Sequence, residues 1–224
     1  MSEGSVPRST LAGTARVEAF SDGVMAIAIT LLILEIRVPE HEPGRLLQAL
    51  GHIWPSYMAY LASFMTIGVV WMNHHTFFGR LRSIDHVLRW WNLMLLLGIS
   101  LVPFPTMVVA DNVVHGTHRD AVVAVALYGI VGVLMTVPWA PMWWRLAKRP
   151  EMLQPGLGSD YARRESWRAW PGILVYAVCI GVGFLSPITA LVLYLLVSTF
   201  YGLSNKSWTG TIDRDPDEAE ALPN

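Results

Sequence analysis

Long, nearly charge-free apolar runs recur along this chain, and no other feature narrows its possible folds so far. Hydrocarbon about 30 Å thick needs roughly 20 apolar residues of helix at about 1.5 Å rise each. Six stretches meet or approach that length: residues 17–36, 53–78, 84–110, 121–146, 167–185 and 188–203. They are continuous, without the two-residue alternation of an outer-membrane barrel. The predicted fold is therefore all-α, a polytopic membrane protein with six transmembrane helices. Composition agrees, since 53% of residues are hydrophobic and 15% charged, with a mean hydropathy of +0.42, beyond the balance of soluble domains.

Other function classes fall away quickly. A net charge of -1 leaves no broad basic surface for nucleic acid. The single cysteine, Cys179, lies in the fifth run and can form neither an intrachain disulfide nor a cysteine-based metal knuckle. The first run is too long for an export signal and leads into Glu35 and Arg37, not a small-residue cleavage site, so it reads as a retained helix. Pro103 and Pro105 in the third run and Pro138 and Pro141 in the fourth predict kinks or early helix ends. No internal repeat is evident, which weakens an inverted-repeat transporter.

Lysine and arginine placement sets the expected orientation, because cytoplasmic loops retain them. With the N-terminus inside, Arg8, Arg16, Arg80, Arg82, Arg89, Arg145, Lys148, Arg149, Arg163, Arg164, Arg168, Lys206 and Arg214 are cytoplasmic, and only Arg37, Arg45 and Arg119 lie outside. The expected protein sits in the cell membrane with both termini cytoplasmic. Its expected divisions are an N-terminal cytoplasmic segment at 1–15, a six-helix domain at 16–206, and an acidic, aromatic-free tail at 207–224 that reads as solvated and disordered.

Few polar residues remain at depth. Asp22 lies inside the first run, about 9 Å beyond Arg16 at the helical rise. The second run travels back and carries Trp71, Asn73, His74 and His75 near the same level. A carboxylate, an amide and two imidazoles at one depth can form a structural hydrogen-bond joint, a proton relay or a metal site. Adjacent His74 and His75 point about 100° apart on a helix, which disfavours joint chelation. On the wheel of the first run, Arg16, Phe20, Gly23, Ile27, Leu31 and Leu34 form one stripe with Thr30 at its edge, while Ser21 and Asp22 lie on either side of it. Hydrophobicity alone does not choose which face of this helix lines what.

The pattern Arg16-x-x-x-Phe20-Ser21-Asp22 with the apolar run after it, joined to Trp71-x-Asn73-His74-His75 at the end of the second run, resembles the transmembrane protein 175 family of potassium channels. The six-span layout extends the likeness over nearly the whole chain. A single six-helix set is similar to the prokaryotic members, and what it implies is a homotetramer in the bilayer whose pore is lined by the first helix of each subunit. The resemblance implies a constriction at Ile27, further apolar pore levels at Leu31 and Leu34, and a contribution to cation selectivity from Thr30. It implies that Arg16, Ser21, Asp22, Trp71, Asn73, His74 and His75 form the polar network holding the inner helix ends. It implies permeant potassium, no enzymatic activity, no cofactor and no bound metal beyond the permeating ion.

The sequence carries no Thr-Val-Gly-Tyr-Gly filter and no span with arginine at every third position, so a leak-like, voltage-insensitive conductance is expected. The competing expectation is a proton-coupled transporter or proton channel using Asp22 with His74 or His75. A purely structural scaffold, with no conductance, is the third.

Overall fold

The structure, a computed structural model, describes residues 8–168 and 170–204. The expected tail at 207–224 and the first residues of the expected segment 1–15 lie outside these. Helix α1 (Arg8–Leu31) tightens into a 3-10 turn at Leu32–Glu35. It begins well before the expected span at 17, since no proline interrupts the chain from Arg8 to Val38. Pro39 then disfavours helical backbone at Val38.

Helix α2 (Leu46–His52) meets α3 (Trp54–Gly79) at a 51° bend. Pro55 sits in the first turn of α3, where its missing N–H costs no helical bond. Helices α4 (His86–Leu101) and α5 (Pro103–His115) part at Val102, and α6 (His118–Thr136) and α7 (Trp139–Lys148) part at Val137 and Pro138. Both breaks fall at the prolines that predicted them, whose rings remove a donor and crowd the carbonyl four residues back. Helices α8 (Ser159–Arg168), α9 (Trp170–Leu185) and α10 (Pro187–Ser204) complete the chain.

By length and composition, four stretches among the described residues can cross a membrane: Gly13–Glu35, His86–His115, His118–Lys148 and Ser159–Leu185. The bent pair α2 and α3 adds a fifth if it counts as one span, and Pro187–Tyr201 is a shorter apolar helix.

Helix α3 is central, with α1, α5 and α10 against it, while α6 packs on α4, α5, α9 and α10. Small residues set these approaches, as they do where lipid supplies no hydrophobic drive between helices. A Cβ on Gly98 of α4 would come within 2.9 Å of the Met135 Cα, and one on Gly132 of α6 would run into the Tyr176 ring. One core joins α1, α3, α4 and α6 through Met25, Leu32, Ile67, Leu95, Ile99 and Met135. A second lies among α3, α5, α6, α9 and α10, around Val109, Tyr128, Tyr176 and Tyr194. A third gathers Phe77, Leu88, Met142, Leu146 and Leu153 where α3 ends. There Leu81 and Leu153 form an isolated antiparallel bridge, and the Arg82 N–H donates to the Met152 carbonyl at 2.8 Å.

Outside the bundle, Val123, Ile130, Leu174, Val178 and Phe184 stand exposed. So much bare apolar surface suits hydrocarbon, since soluble monomers rarely carry it.

Candidate functional site

Helix α1 has two unlike faces. Ser21, Met25, Ala28 and Leu32 recur at helical spacing and are buried against α3 and α4. The opposite face carries Phe20, Gly23, Ile27, Thr30, Leu31 and Leu34, all exposed; Ile27 keeps 62% of its surface and Leu34 70%. This is the stripe read from the wheel, and it has no packing partner among the described residues. The Thr30 hydroxyl donates back to the Ala26 and Ile27 carbonyls, each at 2.9 Å. Its proton is thus committed to the backbone, and its oxygen lone pairs remain free to accept.

Beside this face three polar links tie α1 down. His74 Nε2 meets Asn92 Oδ1 at 2.9 Å, Asn92 Nδ2 donates to Ser21 Oγ at 2.9 Å, and Ser21 Oγ donates to the Val17 carbonyl at 2.8 Å. An amide oxygen only accepts, so His74 donates from Nε2, and every link in the chain has a defined direction. The Nδ1 atom of His74 is buried with no partner among the described residues, and the ring stacks on Phe78 with centroids 4.4 Å apart. In the second link Trp71 Nε1 donates to Asp22 Oδ1 at 3.1 Å. In the third, His75 Nδ1 lies 3.1 Å from Glu18 Oε1, and the His75 ring stacks beside Trp71.

The expected single cluster is therefore divided. Ser21, Asp22, Trp71, His74 and His75 do brace α1 against α3 and α4, but Asp22 hydrogen-bonds to an indole rather than to either imidazole. Asn73 lies elsewhere: two residues from Trp71 on a helix is about 200° of rotation, so it faces the cavity between α3 and α10. Arg16, on the exposed stripe, makes no hydrogen bond or ion pair among the described residues. Two participants went unrecognised in the sequence, Asn92 and Glu18. Asn92 had a signal, an amide sharing one helical face with Leu88, Leu95 and Ile99 in an otherwise apolar run.

Among the described residues no three His, Cys, Asp or Glu side chains gather as a metal ion requires. Chemically, the chain presents a braced helix whose oily outer face offers one hydroxyl oxygen as an acceptor, that of Thr30.

Comparisons with known proteins bear on that geometry. Residues 16–103, which hold α1 from Arg16 onward, His74, His75 and Asn92, match the family described as endosomal/lysosomal potassium channel TMEM175. Over 190 residues the chain is 40% identical to a potassium channel of Streptomyces collinus, covering 84% of this chain and 91% of that one. The endosomal/lysosomal proton channel TMEM175 of Gallus gallus is 42% identical over 97 residues, 39% of this chain and 19% of that protein. The crystal structure of a lysosomal potassium-selective channel TMEM175 homolog from Chamaesiphon minutus superposes with a TM-score of 0.73 at 35% identity, covering 86% of this chain and 97% of that one. With its apolar helices and this similarity along nearly the full length of bacterial relatives, the chain is a multi-pass membrane protein that belongs to the TMEM175 family of ion channels.

Proposed function

We propose that this chain is the subunit of a leak-like, potassium-selective cation channel, a homotetramer in which α1 of each copy lines a central pore. The observation that carries the reading is the bare outer face of α1. A single oily helix face cannot enclose an ion path, whereas several copies of it around an axis can. The bundle then crosses the cell membrane six times, with α2 and α3 as one bent span, α10 as the last, and both termini cytoplasmic. The names carried by the bacterial relatives favour potassium as the permeant ion.

Ile27 forms the constriction in this reading, with Leu31 and Leu34 as further apolar levels. A narrow apolar ring excludes water and closes by dewetting; slightly widened, it passes partly dehydrated cations. Potassium surrenders hydration water more readily than sodium, and the free lone pairs of four Thr30 hydroxyls offer replacement oxygens. Ser21, Asp22, Trp71, His74, His75 and Asn92 hold the helix at the distance from the axis that this gate needs. A proton path through Asp22 is less well supported, despite the name of the vertebrate relatives. The indole proton it accepts is not transferable, and the chain from His74 ends on a backbone carbonyl.

The test is potassium flux from proteoliposomes holding the purified protein. Wild type should conduct above empty vesicles, and Ile27→Asn, by wetting the constriction, should raise flux severalfold. Absence of wild-type flux defeats the channel reading, and unchanged flux in the variant defeats Ile27 as the gate.

A further inference from the structure

A cavity of about 780 Å³ lies between α3, α6, α7, α8, α9 and α10, on the side of α3 away from α1. It follows one stripe of α3 from Thr66 through Val69, Val70, Asn73 and Thr76 to Arg80, a helical distance of roughly 21 Å. Its character changes along that length. At the deep end Val69, Val70, Met135 and Val197 line it beside Thr66 and Ser198, whose hydroxyls are bonded to each other at 2.6 Å; at the end where α3 terminates it is charged. Of the charges there, Glu165 and Arg168 neutralise each other in a 2.7 Å ion pair. Arg80 is left without a carboxylate partner among the described residues, its guanidinium 5.2 Å from the centre of the Tyr161 ring. The Tyr161 hydroxyl is itself buried without a partner among the described residues.

We infer that this cavity binds a long-chain fatty acid, its carboxylate on Arg80 and its alkyl chain running along α3 towards Thr66. One unpaired cation matches one negative charge, and a guanidinium fork suits a carboxylate. The volume falls within the range of about 300–1,000 Å³ of small-molecule sites. One stripe along α3 suits a single acyl chain better than the paired chains of a phospholipid. The site is separate from the outer face of α1 and does not depend on the conduction reading.

Radiolabelled palmitate, titrated onto the full chain purified in an uncharged detergent, tests the assignment. Saturable binding is expected, weakened roughly tenfold or more by Arg80→Gln and largely restored by Arg80→Lys. Val197→Trp, which fills the apolar end while leaving the charges in place, should abolish it. Hexadecanol and inorganic phosphate should compete poorly, since each lacks one half of the ligand. The assignment is overturned if wild type binds no palmitate saturably, if Arg80→Gln and Val197→Trp both bind as wild type, or if hexadecanol displaces palmitate as well as palmitate does. Displacement by dipalmitoylphosphatidylglycerol at lower concentration than by palmitate overturns it in favour of a membrane phospholipid.

Discussion

Thr30 is a side chain whose donor is spent and whose acceptor is free. Bonding back to the Ala26 and Ile27 carbonyls fixes its rotamer and keeps its oxygen on the exposed face of α1. Thr30→Ala removes that oxygen without disturbing the helix, because no other residue depends on it. The preference for potassium over sodium should fall about fivefold, the equivalent of roughly 1 kcal/mol, measured as reversal potentials under bi-ionic conditions; identical potentials would exclude the hydroxyl from selectivity. Asn92 is the opposite kind of residue, buried and bonded on both sides. Asn92→Leu leaves His74 and Ser21 without their partner, so thermal unfolding in detergent should show a loss of about 1–3 kcal/mol, with the ion preference of any surviving channel unchanged. A shifted preference with intact stability would move Asn92 from brace to pore. The sequence made α1's outer stripe legible, because a wheel needs only spacing. It could not divide the polar level into separate links, since depth along a helix is readable while partner choice depends on how α3 is rotated about its axis.

Among the elements, the long apolar helices and both proline breaks were readable because each is a local property of the chain. The short helices α2 and α8 were not: seven and ten residues long, they carry no run that a membrane threshold can see. Neither was the contact that fastens α7 to the start of α4. Asp85 caps α4 by accepting from the Leu88 N–H at 2.9 Å, and the same carboxylate takes two bonds from Arg145, at 2.6 and 2.9 Å. Partial burial works against its charge, but the Leu88 N–H and then the Arg145 hydrogen bond and charge outweigh it, holding the carboxyl below the usual carboxylate range. A carboxyl lowered on folding contributes stability in full above its unfolded pKa of about 3.9 and loses it as pH falls through the lower folded value. Asp85→Asn should therefore cost about 1 kcal/mol at neutral pH, seen as a lower Tm. The gap from wild type should close as pH falls below about 4. A gap that stays constant with pH would mean that capping geometry, rather than charge, joins α7 to α4.

For the whole molecule the question is what covers α1. Lipid is a poor answer, since the exposed stripe alternates large aliphatic residues with Gly23 and Thr30, has the partly exposed Asp22 carboxylate at its margin, and is held in place by three polar links. In the proposed channel a second copy of the same face covers it, and symmetry makes that testable with one substitution. The chain has a single thiol, Cys179, which is buried, so a cysteine introduced at Leu34 reacts alone. Around an axis, Leu34→Cys side chains of neighbouring or opposite copies come within disulfide reach, and mild oxidation should give covalent dimers and no larger species, because each copy offers one sulfur. The same oxidation should block potassium flux, and a reductant should restore it. Val178→Cys, also exposed but on α9, should do neither. Dimers from Val178→Cys with none from Leu34→Cys would place α1 at the periphery of the assembly and leave the pore to another helix.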